Sequence, residues 1–218
     1  MATDQLKDLV KAARYMGSEA LVWGSAGNAS IRQGGSVWIS GSGTMVGRLA
    51  LSQLVKCPLE GEPSKVALRP SKELPMHQTI YQERNDVTCV LHASPFYATL
   101  IACSDESPRF NLFVESMYYL YDVRTVGYIH PGSQRLAEAV RVHATSTNVI
   151  FLKNHGVLVY DLSVKEALVR LETVELACKM WVTAKASGVH LDFVSQDQVT
   201  DFIYNSGYKS TLPRGASK

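Results

Sequence analysis

The sequence predicts an α/β protein, because short apolar runs alternate along the chain with longer segments of helical periodicity. Residues 87–91 and 149–152 are rich in β-branched and other apolar side chains, which is typical of buried strands. Residues 6–22 and 163–188 instead repeat apolar side chains at the spacing of one helical face. A chain of 218 residues is long enough to bury a large core, so we expect a single domain over residues 1–218.

The composition is that of an ordinary globular protein, with 46% hydrophobic and 19% charged residues. A formal net charge of +2 gives no strong attraction to nucleic acid, so nucleic acid is not expected as a partner. The N-terminus carries no basic-then-apolar signal, and no apolar run reaches the length of a membrane span. We therefore expect a cytoplasmic protein that does not associate with membranes.

The same signals predict the remaining elements in chain order. The predicted strands and extended segments lie at residues 37–39, 55–58, 87–91, 124–129, 149–152 and 156–160. The predicted helices lie at residues 6–22, 71–82, 95–102, 136–143, 163–188 and 195–206. Ser71 is the expected N-cap of its helix, and Ser163 with Glu166 forms the pattern of a capping box. The tail from about residue 209 is expected to be flexible.

Two histidines follow buried strands, where polar side chains can converge on a pocket. His92 comes directly after the run at 87–91, and His155 follows the run at 149–152. Upstream, Glu73 and His77 are four residues apart, which places them on one face of a helix. A carboxylate with imidazoles is the ligand set of a divalent transition metal. The alternative is that each histidine is an ordinary half-buried residue.

Small polar turns at residues 24–30 and 40–44 indicate a second kind of site. Glycine and serine there allow the backbone to approach a ligand closely, and backbone N–H groups in such turns can bind an anion. With Ser71 and Lys72 further along, they predict a phosphate or carboxylate pocket. The alternative is that both segments are plain turns next to strands.

Several short motifs occur in this chain in the order that is typical of one family. They are Gly27-Asn28-Ala29-Ser30, Ser40-Gly41-Ser42-Gly43, Ser71-Lys72-Glu73 with His77, His92-Ala93-Ser94-Pro95, Pro131-Gly132-Ser133 with Leu136-Ala137, and Asn154-His155-Gly156. On these motifs the chain resembles the class II aldolase/adducin family over about its whole length. The resemblance implies an α/β/α sandwich around a mainly antiparallel central sheet. It also implies a homotetramer with active sites between subunits.

The resemblance implies roles for individual residues as well. The positions that match the family's phosphate pocket are Gly27, Asn28, Ser42, Gly43 and Ser71. Lys72 stands where the family has a second serine and adds positive charge. Glu73 matches the catalytic glutamate, which moves the proton at the enediolate carbon. His92 and His155 match two zinc ligands.

The family's third metal ligand belongs to a His-x-His pair, and this chain has Ser94 at that position. Three alternatives follow from this difference. The metal is held by His92, His155 and Glu73, with a water or substrate oxygen, or Ser94, completing the shell. A second possibility is that His130 supplies the missing imidazole. The third is that the metal is lost and the chain is a binding module like the adducin branch.

These implied roles predict a metal-dependent lyase of carbohydrate metabolism. The first expectation is an aldolase that cleaves or forms a carbon–carbon bond in a small sugar-phosphate-like substrate through an enediolate. The alternatives are a keto-acid decarboxylase, an iron enzyme with two histidines and one carboxylate, or a non-catalytic oligomeric module. Zinc is the expected metal, with manganese, cobalt and iron as alternatives. Tyr118 and Tyr208 are candidate acids that protonate the leaving oxygen.

Overall fold

The computed structural model describes residues 2–64 and 67–216. Its strands are β1 (Asn28–Gln33), β2 (Ser36–Ser40), β3 (Leu54–Pro58), β4 (Cys89–Ala93), β5 (Val123–Val126), β6 (Val149–Leu152) and β7 (Gly156–Asp161). Its helices are α1 (Ala2–Ser18), α2 (Leu74–Glu83), α3 (Phe96–Ala102), α4 (Val114–Tyr119), α5 (Gln134–Ala144), α6 (Val164–Ser187) and α7 (Gln196–Asn205). The strands form one sheet in the order β3-β2-β1-β4-β7-β6-β5. Only the pair of β5 and β6 is parallel, and the other neighbours are antiparallel.

Helices cover both faces of this sheet, and side chains alternate between two cores. In β4, Cys89 and Leu91 belong to the core shared with α1, α3 and α6, whereas Val90 belongs to the core shared with α2 and α5. The alternation follows from the two-residue period of a strand. It also puts His92 on the side of α2. The predicted α/β/α sandwich with a mainly antiparallel sheet is confirmed.

Most predicted elements are observed with small shifts at their ends, but the first helix spans Ala2–Ser18 rather than residues 6–22, and two other helix starts differ in detail. Ser71 is not the N-cap of α2, which begins at Leu74 after Glu73. Ser71 Oγ instead accepts the N–H of Glu73 at 3.3 Å, inside a turn that precedes the helix. At α6, Ser163 accepts the N–H of Glu166 as predicted. The carboxylate of Glu166 does not complete the box, because it is bound by Tyr119 and Lys209.

Residues 209–216 contact the body of the protein at several points. Lys209 binds the Glu166 carboxylate at 3.1 Å, and Tyr118 donates to the carbonyl of Thr211 at 2.9 Å. Arg214 pairs with Asp86 at 2.5 Å. The flexible tail and the single domain over the whole chain remain predictions. Within the part of the chain that the structure describes, no helix is long and apolar enough to cross a membrane.

Candidate metal centre

His92 is held in the middle of the sheet, with its ring turned toward α2. It pairs with Asn28 of β1 on one side and with Leu158 of β7 on the other. Its Nδ1 lies 3.1 Å from the carbonyl oxygen of Val157. Because a carbonyl only accepts, Nδ1 carries the proton and Nε2 presents a lone pair. A backbone carbonyl that orients an imidazole in this way is a common partner of metal-binding histidines.

His155 lies in the short turn that joins β6 to β7. Directly after it, β7 comes very close to β4, since a Cβ at Gly156 would clash with the carbonyl oxygen of Ala93. His155 Nε2 is 3.2 Å from His92 Nε2, and the two rings meet edge to face. Burial, with a contribution from His92, lowers the pKa of His155, although the Glu73 carboxylate opposes this shift. A neutral imidazole is the form that binds a metal.

Glu73 completes the group from the residue just before α2. Its Oε2 is 3.3 Å from His92 Nε2, and its Oε1 is 3.5 Å from His155 Nε2. One ligand atom from each of the three residues lies within 4.8 Å of the others. Among the described residues, Glu73 Oε1 and His155 Nδ1 are buried without a hydrogen-bond partner.

The side chains of Glu73, His92 and His155 fit a divalent transition metal. The carboxylate oxygens only accept, and His92 Nε2 presents a lone pair toward them, so the three groups repel one another without a cation or proton between them. Two imidazoles and a carboxylate are suitable ligands for zinc, iron, cobalt or manganese. Glu73, His92 and His155 are therefore the residues that can hold a metal here.

Ser94 and His130, the two additional metal candidates, have other contacts. Ser94 Oγ donates to the carbonyl oxygen of His155 at 3.3 Å, so it supports the turn that carries this imidazole. His130 is exposed, and its Nδ1 lies 3.2 Å from the hydroxyl of Tyr128. Within the described residues, the structure does not bring His130 into the group of metal ligands.

Three residues of the expected anion pocket, Ser42, Ser71 and Lys72, lie on two neighbouring turns. Ser42 donates its N–H to the carbonyl of Arg69 at 2.8 Å, and Ser71 donates its N–H to the carbonyl of Ser40 at 3.0 Å. These amides are therefore used within the protein. The side chains of Ser71 and Lys72 line a cavity of about 860 Å³ that Arg69 also borders. Ser71, Lys72 and Arg69 are therefore available to an anion in this cavity.

The remaining pocket candidates are Gly27, Gly43 and Asn28, and each has different surroundings. Gly27 has φ +77°, and a Cβ there would lie 2.6 Å from the carbonyl oxygen of His92, so it allows close contact with β4. Gly43 also has a positive φ and is exposed, with open space around its Cα. The amide of Asn28 points to Glu73, with Nδ2 2.8 Å from Oε2. Asn28 thus contacts the candidate catalytic carboxylate directly.

Tyr118 and Tyr208, the candidate acids, lie together at the C-terminal segment. Their ring centroids are 5.7 Å apart, and the Tyr118 hydroxyl is bonded to Thr211. Neither has a described contact with Glu73, His92 or His155 in the same chain. A role for them as acids therefore depends on the predicted assembly of several subunits.

The sequence places His77 on the same helical face as Glu73 but does not indicate a role for it. In the structure its ring is buried between Asn28 and Ser30. The only signal in the sequence was its spacing of four residues from Glu73. That spacing alone does not distinguish a metal ligand from a supporting residue.

Known proteins resemble this chain over most of its length. Residues 7–182 match the family model described as class II aldolase and adducin N-terminal domain. The L-fuculose phosphate aldolase of Methanocaldococcus jannaschii is 28% identical, over 80% of this chain and 93% of that protein. The 3-oxo-tetronate 4-phosphate decarboxylase of Haemophilus influenzae is 26% identical, over 88% of this chain and 93% of that protein.

A solved structure of an L-fuculose 1-phosphate aldolase matches with a TM-score of 0.80 and 25% identity, covering 93% of this chain and 95% of the other. The predicted lyase class is confirmed by these relatives, which are aldolases and a decarboxylase. The expected dependence on a metal agrees with the family and with the ligand group of Glu73, His92 and His155. The chain therefore belongs to the class II aldolase and adducin N-terminal domain family.

Proposed function

We propose that this protein is an aldolase that cleaves or forms a carbon–carbon bond in a small phosphorylated, sugar-like substrate. The observation that carries the proposal is the convergence of Glu73, His92 and His155 beside two polar turns. The names of several relatives, among them the 5-deoxy-D-ribulose 1-phosphate aldolase of Bacillus thuringiensis, support a sugar phosphate as the substrate class.

Different residues of this chain would bind the metal, transfer the proton and bind the phosphate in such a reaction. His92 and His155, with Glu73, would hold a divalent ion, for which we propose zinc. When bound, the ion supplies Lewis-acid stabilisation of the negative charge on an enediolate. Glu73 accepts and returns the proton at the carbon next to the carbonyl, because Asn28 holds Oε2 while Oε1 has no hydrogen-bond partner among the described residues. The Ser71 hydroxyl and the Lys72 ammonium group bind the substrate's phosphate.

The second candidate is decarboxylation of a 3-keto acid. Loss of carbon dioxide from such an acid leaves the same kind of enolate charge as cleavage of an aldol. The specific observation in its favour is the Haemophilus influenzae decarboxylase, whose sequence matches over 88% of this chain. The same groups at the metal centre would serve both reactions.

One experiment tests both candidates. Protein purified without chelator is analysed for bound metal and then assayed on a panel of ketose 1-phosphates and 3-keto acids, with zinc, manganese, cobalt or iron added. We expect bound metal and an aldehyde product from a ketose 1-phosphate. Carbon dioxide release from a keto acid would instead favour the decarboxylase. A protein that holds no metal, and that no added metal stabilises against heat, would contradict both candidates.

We also propose that the protein is a homotetramer in which Tyr118 and Tyr208 approach the site of a neighbouring subunit. Tyr208 is 36% exposed in the single chain, so its ring is accessible to a neighbouring subunit. Among the described residues, neither tyrosine contacts Glu73, His92 or His155 of its own chain. Light scattering at micromolar concentration should give a mass of four chains. A monomer would contradict this assembly and would exclude these tyrosines from catalysis.

Restoring the family's third imidazole gives a further prediction for the metal centre. Ser94→His should increase the affinity for zinc by at least about 10–100-fold, since even changes outside the ligand shell alter metal affinity by that factor. Isothermal titration calorimetry measures the change. Ser94→Ala is the control, because it removes the hydroxyl that donates to the His155 carbonyl without adding an imidazole, and its affinity should not rise above that of the wild type. An unchanged affinity in Ser94→His would place residue 94 away from the metal.

A further inference from the structure

A buried row of polar side chains lies behind the metal centre and ends at Glu73. Asn28 Nδ2 is 2.8 Å from Glu73 Oε2, and Asn28 Oδ1 is 2.5 Å from His77 Nε2. His77 Nδ1 is 2.7 Å from Ser30 Oγ, which lies 2.8 Å from the hydroxyl of Tyr81. His77, Ser30 and Tyr81 have no exposed surface. The polar atoms of these three side chains are therefore shielded from water and need partners within the protein, and the Tyr81 hydroxyl also lies 3.0 Å from the backbone carbonyl oxygen of Ser30.

The sheet and one helix hold the row in place. Asn28 and Ser30 are on the face of β1 opposite to Ala29, which belongs to the core on the α1 side. They consequently face α2, which supplies His77 and Tyr81. Asn28 is also paired across the sheet with His92. The row thus connects a rigid part of the fold to two residues of the metal centre.

The direction of these hydrogen bonds can be derived from the Glu73 carboxylate oxygens, which accept hydrogen bonds. Asn28 must therefore turn its NH2 group toward Glu73 and its carbonyl oxygen toward His77. That carbonyl requires a proton on His77 Nε2. A neutral His77 then has a lone pair on Nδ1 and accepts from the hydroxyl of Ser30. The phenol of Tyr81 lies 2.8 Å from Ser30 Oγ and 3.0 Å from the carbonyl oxygen of Ser30, and it shares its one proton between these two acceptors.

The protonation states of the two buried rings agree with this direction. Burial, with a contribution from His92, lowers the pKa of His77 to about 3, so the ring is neutral near pH 7. Burial raises the pKa of Tyr81 well above its ordinary value, so the phenol keeps its proton. The opposite direction would place the Asn28 carbonyl oxygen against Glu73 Oε2, and two acceptors at that separation repel each other.

We propose that His77 is a positioning residue: as its Nε2–H tautomer, it holds the Asn28 amide with N–H toward Glu73, and so holds the carboxylate facing His92 and His155. His77 itself does not ligate the metal, because both ring nitrogens are used in the row. The effect on metal binding rests on the proposed function, whereas the tautomer and the direction of the row do not. The two parts are therefore tested separately.

The tautomer is tested on the metal-free wild-type protein labelled with ¹⁵N-histidine. Long-range ¹H–¹⁵N correlation spectra distinguish a protonated from an unprotonated ring nitrogen. We expect the proton of His77 on Nε2 at neutral pH, and His77→Gln identifies the signal by its disappearance. A proton on Nδ1, or on both nitrogens, would overturn the proposal whatever the protein does with metals.

The effect on the metal centre is tested with a matched pair of variants and Co²⁺ as the probe. Glutamine places its amide N–H near the position of histidine Nε2–H, so His77→Gln keeps the donor to Asn28. Asparagine reaches only as far as Nδ1, so His77→Asn keeps a partner for Ser30 and loses the donor. We expect His77→Asn to weaken Co²⁺ binding about 10–100-fold, as is typical when a partner of a ligand is lost. His77→Gln should bind Co²⁺ nearly as well as the wild type.

Thermal unfolding of the metal-free variants separates positioning from a structural role. If His77 had only a structural role, both variants would lose Co²⁺ affinity in proportion to their loss of thermal stability. That result would overturn the proposal. Equal Co²⁺ affinities in His77→Asn and the wild type would overturn it too. If the wild type itself bound no Co²⁺, the metal-dependent function would fail instead, and the ¹⁵N spectra would still decide the direction of the row.

Discussion

Glu73→Gln is expected to lower kcat by about 10²–10⁴-fold, which is the usual loss when a group that transfers a proton is removed. Glutamine has the size of glutamate, and its carbonyl oxygen can still accept from Asn28 Nδ2, which lies 2.8 Å from Oε2 in the wild type. What the variant lacks is a group that can take up a proton near neutral pH. It also replaces an anionic metal ligand with a neutral one, so the affinity for zinc should fall as well.

The measurement is kcat and KM of the variant, loaded with saturating metal, on the substrate found in the panel. Glu138→Gln is the control, because this glutamate is exposed on α5 and makes only a surface ion pair with Arg141. Its kcat should equal that of the wild type. A Glu73→Gln variant that retains full kcat at saturating metal would show that another group moves the proton.

His155→Ala is expected to reduce zinc affinity by more than about 100-fold, because a direct ligand matters at least as much as the partners around it. One imidazole and one carboxylate remain, which is a poor site for zinc. Little stability should be lost without metal, since among the described residues His155 Nδ1 is buried without a partner. The loss of activity should follow the loss of metal.

Thermal unfolding with and without zinc measures this effect independently of any substrate. A ligand at 100 times its Kd stabilises the folded state by about 2.7 kcal/mol, so the wild type should unfold at a higher temperature when zinc is added. His155→Ala should show no such gain at the same concentration. His190→Ala, which changes an exposed histidine outside the ligand group, should behave like the wild type. If zinc raised the unfolding temperature of His155→Ala as much as that of the wild type, His155 would not be a metal ligand.

The sequence alone predicted most elements of the fold, because their patterns are local. A continuous apolar run predicts a buried strand, and β4 and β6 are observed where such runs occur. The 3.6-residue repeat and the cap at Ser163 predicted α6 to within a residue at each end. The ordered motifs also led to the family, which the match over residues 7–182 confirms.

Some features near the site could not be predicted, because they depend on contacts between distant segments. Residues 28–30 were expected in a turn, but they begin β1 because Asn28, Ala29 and Ser30 pair with β4. The Asn28 side chain contacts Glu73 and His77, which the sequence did not predict, and its role at a phosphate stays a prediction. The roles of the expected site residues themselves remain predictions.

The sequence by itself determined which residue types are available at the candidate metal centre, and it has Ser94 where the resemblance implies an imidazole. Only the tertiary structure decided how these residues combine. It placed Glu73 within 3.5 Å of both His92 and His155, which also contact each other, and it turned Ser94 toward the backbone of the adjoining turn. It put His77 behind Asn28 rather than in the ligand group. Periodicity and motifs depend only on residues that are close together along the chain. Hydrogen-bond partners at a site are set by strand pairing and helix packing, which bring together residues far apart in sequence.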